Sequence, residues 1–91
     1  MYFAEVMGTV VSTHKNERLV GKKLLLVQRL ELDGTSDGSM EVIALDVVSA
    51  GVGDRVLVVQ EGSSARKIFN DEKIPVQAVI VGIIDRVDIE G

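Results

Sequence analysis

The segment from Val76 to Val87 is apolar on both faces of a strand: Val76, Ala78, Ile80 and Ile84 lie on one side, Val79, Val81, Ile83 and Val87 on the other. Arg55 to Gln60 repeats the pattern, with Val56 and Val58 opposite Leu57 and Val59. Such runs suit strands, because β-branched side chains fit a pleated surface. A small sheet closed on itself has a single interior, so a strand apolar on both sides must cover its outer face with something other than its own core. A short helix could cover some of this surface, but about eight aliphatic side chains left outside make a larger patch than soluble monomers carry, and self-association is the expected remedy.

At 91 residues the chain has material for one core, so a single domain spanning residues 1–91 is expected. Hydrophobic residues make up 46% of it and aromatic ones 3%, so the core must be built from Val, Ile, Leu and Ala. Ten basic residues against fourteen acidic ones give a net charge of -4, which offers no electrostatic footprint for a phosphate backbone. With no cysteine, neither disulfides nor thiolate-bound metals enter. Met1 to Val11 has no basic leader followed by a continuous apolar run, and no apolar stretch reaches the roughly 18 residues that cross a bilayer. The expectation is a soluble cytoplasmic protein with no membrane partner.

Tyr2 to Ser12 reads as a first strand bent or bulged at Gly8, and Thr13 to Gly21 as a polar loop. Lys22 to Leu32 reads as a long second strand, and Asp33 to Ser39 as a turn. Met40 to Leu45 gives a short third strand. Asp46 to Gly53 follows as a tight loop in which Gly51 and Gly53 suggest positive φ angles. Arg55 to Gln60 is the fourth strand. Ser63 or Ser64 is placed to cap one short helical turn ending near Phe69, and after Pro75 the last strand runs from Val76 to Val87. Five strands with one helical turn between the last two predict an all-β fold, a small, partly open barrel like that of oligonucleotide/oligosaccharide-binding (OB) domains.

Several segments, in this order, resemble the EutN/CcmL-type vertex proteins of bacterial microcompartments. They are Val6-Met7-Gly8-Thr9-Val10-Val11 with Thr13 and Lys15, then Leu19 to Leu25, Asp46 with Ala50-Gly51-Val52-Gly53-Asp54, Gly62 to Arg66, and Pro75 to Asp85. The resemblance implies a five-stranded barrel, a pentameric ring and a place at the corners of a polyhedral protein shell beside hexameric shell proteins. It makes Thr13, Lys15, Ser49, Ala50, Gly51, Val52, Gly53, Gly62, Ser63, Ser64, Arg66 and Gln77 the candidates for the subunit interface or ring axis. Two departures from the family pattern are mild. Ser49-Ala50-Gly51-Val52-Gly53 stands where Gly-Ala-Gly-x-Gly is common, and Gln77 where an Asp often follows Pro-Val.

Catalysis and cofactor binding find little support in the sequence. Gly51-Val52-Gly53 lacks the Gly-Lys-Ser/Thr of a phosphate-binding loop and joins strand to strand. Ser63 and Ser64 lack a nucleophile elbow, and His14, the one histidine, sits in a polar loop without metal-ligating neighbours. Asp33, Asp37 and Glu41 are spaced as turn residues rather than as a calcium loop. Lys22-Lys23 and Arg66-Lys67 read as solvated pairs, although the planar guanidinium of Arg66 suits a fixed bond to a carboxylate or carbonyl at an interface. Neither an enzyme nor a cofactor or metal site is expected. Single-stranded nucleic acid, the alternative partner for this barrel shape, needs stacking aromatics and a basic groove, and only Tyr2, Phe3 and Phe69 are aromatic.

Overall fold

A computed structural model describes residues 1–11, 21–60 and 78–88. Five strands form there: β1 (Tyr2–Thr9), β2 (Lys23–Arg29), β3 (Val42–Asp46), β4 (Arg55–Gln60) and β5 (Ala78–Ile83). The expected helical turn between the last two strands lies outside the described residues.

The strands close in the order β1-β2-β3-β5-β4, with β4 returning to β1. Neighbours run antiparallel except β3 and β5, whose short parallel pairing of Leu45 with Val79 and Asp46 with Ile80 shuts the barrel that the sequence suggested would be partly open. β1 is shared by two neighbours, and Ala4 and Glu5 pair on both sides, with Arg29 and Gln28 of β2 and with Val56 and Arg55 of β4. Beyond these residues the strand is irregular. The register with β2 shifts between Val6 and Gly8, so Met7 is the extra residue of a bulge beside the glycine where one was expected.

The interior is lined by alternate residues: Ala4 and Val6, Leu25 and Val27, Ala44, Val56 and Val58, Ala78 and Ile80, with Ala50 entering from the loop after β3. All are essentially inaccessible. A barrel of five strands is narrow, and small aliphatic side chains fill it without strain. That accounts for a core with hardly any aromatic residues. Tyr2, Val42 and Val48 pack at its margins.

A second cluster lies on the outer side. Leu24, Leu45 and Val79 form a register row across β2, β3 and β5 and are buried, with Val10 and Val81 against them. The outer face of the last strand is therefore covered in part by the chain itself. The alternation expected for this strand also fails beyond Val81. The register of β4 with β5 shifts there: Val58 pairs with Ile80 but Leu57 with Gly82, and the interior residue Val56 then faces Ile83. One inserted residue shifts the register of the pairs that follow it, and Ile83 at the end of the strand is 44% exposed. Ile84, whose amide donates to the Arg55 carbonyl at 2.8 Å, thus comes to the outer side with Phe3 and Val87.

Replacing Ile80, wholly enclosed in the barrel, with Ala is expected to lower the unfolding free energy by about 2–5 kcal/mol. Met40→Ala, at an 87% exposed position, should stay within about 0.5 kcal/mol of the parent. Urea denaturation at one fixed protein concentration checks both.

Candidate functional site

The loop between β3 and β4 is organised by one carboxylate. Asp46 Oδ1 accepts the amide of Val48 at 3.0 Å, and Oδ2 accepts the amide of Ala50 at 2.9 Å and pairs with the Lys23 ammonium at 3.3 Å. Lys23 Nζ also donates to the Ala50 carbonyl at 2.5 Å. The Asp46 side chain is 1% exposed, so these partners replace its water shell. They hold Ser49 at a φ of 60°, a left-handed conformation that a short polar side chain tolerates better than a β-branched one.

Gly51-Val52-Gly53-Asp54 is then a tight turn. The Asp54 amide donates to the Gly51 carbonyl at 3.0 Å, and the Asp54 carboxylate accepts the Gly51 amide at 2.8 Å. Gly53, at a φ of 91°, occupies the position of a type II turn that favours glycine. Of the two positive φ angles expected at Gly51 and Gly53, only that of Gly53 is found, and the second falls on Ser49. The Gly53 amide donates to the Val6 carbonyl and the Val6 amide to the Asp54 carbonyl, at 2.8 and 2.9 Å, which fastens the turn beside the bulge of β1.

Polar groups gather at the opposite mouth. Arg29 lies 4.8 Å over the Tyr2 ring and pairs with Asp37 at 3.3 Å, while the Tyr2 hydroxyl donates to Gln60 Oε1 at 2.6 Å. Partial burial raises the Tyr2 pKa. The neighbouring turn is held by two short carboxylate motifs. Asp33 accepts from the amide and hydroxyl of Thr35, and Asp37 does the same from Ser39. The Thr35 hydroxyl is the main cause that lowers the Asp33 pKa, and the Ser39 hydroxyl plays that part for Asp37. Both carboxylates are turn residues, as their spacing suggests.

Among the described residues two apolar patches stand out on the outer surface. On the β1-β4-β5 side Phe3 pairs with Leu57 and borders two hollows, one of about 620 Å³ that it shares with Leu32, Leu57, Arg29, Glu31 and Asp37, and one of about 20 Å³ with Leu32, Ile84 and Val87. On the β1-β2-β3 side Met7 and Gly8, at the bulge, lie opposite Leu26, which pairs in turn with Ile43. Met7 and Ile43 are each nearly half exposed. The register row Gln28-Glu5-Arg55 crosses β2, β1 and β4 between the patches and keeps them apart with polar side chains.

Of the candidates read from the sequence, the structure brings Ser49, Ala50, Gly51, Val52 and Gly53 together in the loop after β3. Ala50 is buried in the core, and the other four are exposed. Thr13, Lys15, Gly62, Ser63, Ser64, Arg66 and Gln77 lie outside the described residues, as does His14. Sequence reasoning did not single out Phe3, Met7, Leu32 or Ile43 as surface residues. The alternation of Ile43 with the interior Ala44 carried that signal for one of them.

Comparison with known proteins gives a consistent picture. The family described as "Ethanolamine utilisation protein EutN/carboxysome" matches residues 1–85. The microcompartment shell vertex protein PduN of Salmonella typhimurium is 47% identical over 88 residues, which cover 93% of this chain and 96% of that protein. The carboxysome shell vertex protein CcmL of Synechocystis is 49% identical, with coverages of 98% and 87%. The solved structure of the GrpN pentameric microcompartment shell protein from Rhodospirillum rubrum superposes with a TM-score of 0.85 at 46% identity, covering 99% of this chain and all of that one.

Replacing Asp46 with Ala leaves the buried amide of Ala50 without its acceptor and is expected to destabilise the fold by about 1–3 kcal/mol, measured by thermal or chemical denaturation. The exposed turn responds to acid. A carboxylate whose folded pKa is depressed contributes stability above its unfolded value, and that contribution is lost as pH falls through the folded value. The amide proton shifts of Thr35 and Ser39, followed by NMR, should therefore titrate with midpoints below the ordinary Asp value of 3.8.

Proposed function

The chain belongs to the EutN/CcmL family, and on that premise we propose that it is a structural shell protein whose copies close into a homopentamer and cap the vertices of a polyhedral bacterial microcompartment. The observation that carries this reading is the end-to-end likeness, in sequence and in fold, to a pentameric shell protein. The outward apolar patches support it, since they are surface that a ring would cover. The role is one of shape and involves no catalysis, as in relatives named for shell vertices. It places the protein in the shell of a compartment within the bacterial cytoplasm.

The geometry of such a shell explains what a corner piece must supply. Six-fold tiles extend as a flat layer, and the layer encloses a volume only where five-fold tiles interrupt it. A vertex subunit needs a rigid wedge, a contact whose rotation closes after five copies, and a rim that fits the adjoining tile. In our reading the adjoining tiles are hexameric shell proteins. The exposed residues Ser49, Gly51, Val52 and Gly53 form a contact loop near the subunit junction or ring axis, because its turn is fixed by internal hydrogen bonds and its glycines allow close backbone approach. Arg66 is assigned to an interfacial bond with a carboxylate or carbonyl of the same or an adjacent subunit.

Native mass spectrometry should find five copies of the 9.8 kDa chain, about 49 kDa, and a monomer at high concentration would refute the reading. Gly51 has no positive φ, and a Cβ there would meet only Asp54 Oδ2, at an ordinary 3.8 Å. Gly51→Phe should therefore leave the barrel folded by circular dichroism while removing the rings. Arg66→Ala should shift the ring to smaller species on dilution, and unchanged assembly in either variant would withdraw that residue from the interface.

A further inference from the structure

The hollow of about 620 Å³ beside the polar mouth holds two opposite charges that do not meet. Arg29 is fixed from two sides: its guanidinium lies 4.8 Å over the Tyr2 ring, and its Nε pairs with Asp37 Oδ2 at 3.3 Å. Asp37 is itself occupied, because its other oxygen accepts the amide and the hydroxyl of Ser39. The terminal nitrogens of Arg29 have no hydrogen-bond partner among the described residues. A guanidinium held in place thus keeps its outer fork open, the part that binds a carboxylate through two parallel hydrogen bonds.

Glu31 lines the same hollow. Leu30 bridges to Ser36, and the Glu31 amide donates to the Thr35 carbonyl at 2.8 Å, so the ladder continues past β2. Arg29 and Glu31, two residues apart on that extended arm, share a face with their Cα atoms about 7 Å apart. Among the described residues no ion pair joins them, and the Glu31 carboxylate has no other partner there. Phe3, Leu32 and Leu57 supply an apolar wall beside the two charges. A cavity of this volume, with apolar lining and a few convergent polar groups, has the form of a small-molecule site.

The charges select the ligand. A simple anion on Arg29 would face Glu31 and Asp37, and a simple cation on Glu31 would leave the Arg29 fork empty. An α-amino acid bears both charges on one carbon. With a hydrogen bond of about 2.9 Å at each end, it bridges side-chain ends that are too far apart to pair directly. We propose that this hollow binds a free α-amino acid with an apolar side chain, its carboxylate on the Arg29 fork, its ammonium on Glu31 and its side chain against Phe3, Leu32 and Leu57.

Titration of the full chain, in whatever assembly it forms, tests this independently of the pentameric reading. At neutral pH L-phenylalanine should bind saturably, with a Kd on the order of 1 mM for a ligand of about twelve non-hydrogen atoms. Amide shifts of the labelled protein should centre on Phe3 and on Arg29 to Leu32. Phenylalaninamide lacks the carboxylate, N-acetylphenylalanine the ammonium and glycine the apolar side chain, and each should bind about tenfold more weakly or worse. Arg29→Gln should lose the preference for phenylalanine over its amide and keep that over the N-acetyl derivative, and Glu31→Gln should do the reverse. Arg29 also holds Asp37, so circular dichroism checks the fold of that variant, whereas Glu31 is exposed and the ligand series on the parent needs no variant. No saturation by about 20 mM would overturn the proposal. So would shifts centred elsewhere, an amide or N-acetyl derivative that binds as tightly as the amino acid, or variants that weaken all ligands equally.

Discussion

The narrowness of a five-stranded barrel governs the rest of this molecule. Among the described residues its interior holds a short column of Ala, Val, Leu and Ile side chains and nothing larger. A chain with 46% hydrophobic residues has more aliphatic surface than that column takes up. The excess goes to two places. Leu24, Leu45 and Val79 are buried within the subunit on the outer side, whereas Phe3, Met7, Leu32, Ile43 and Val87 stay at least partly exposed in two separate patches. Burial of such side chains is favourable by roughly 1.5–3 kcal/mol each when complete, so patches of this kind bias copies of the chain toward association.

Two bulges decide where those patches fall. The extra residue in β1, past the residues that pair with both β2 and β4, pushes Met7 outward beside Gly8. The shift in β5 after Val81 sets Ile83, still 44% exposed, opposite Val56 and brings Ile84 beside Arg55. In each case the inserted residue breaks the period of two that otherwise keeps one face of a strand inside. Bulges thus convert an ordinary alternating strand into one whose ends serve different surfaces.

That is also where the sequence is hardest to read. Strand identity was legible from β-branched runs and their boundaries: β4 was predicted over Arg55–Gln60, the range found, and the bulge near Gly8 was marked by the glycine. The second bulge also has a glycine beside it, Gly82 after the extra residue Val81, but the reading of an alternating strand passed over it and pairing with β4 reveals the shift. The strict alternation read for Val76 to Val87 therefore put Ile84 on the side of Ala78 and Ile80, whereas it borders Phe3 and Val87 on the outer surface. The loop after β3 was legible as a turn but not in its mechanism. Nothing local to Ser49 announces that a carboxylate three residues earlier will hold it at positive φ. The two surface patches were legible only in part, since Phe3, Met7 and Ile43 become neighbours of their partners through strand register rather than through sequence proximity.

The rigidity of the Asp46 loop bears on assembly as much as on stability. A ring closes at a definite number only if the angle between successive subunits is held within narrow limits, because each copy repeats the same small rotation and errors accumulate around the circle. A loop fixed by solvation alone would not hold such an angle. Here the backbone from Asp46 to Asp54 is tied by an enclosed carboxylate, by the Asp54 turn and by two bonds to the bulge of β1, the strand whose outer face carries a residue of each apolar patch. The same hydrogen bonds that keep the end of the barrel shut therefore brace the strand that presents both patches, and shape, rather than any reactive group, is what the fold delivers.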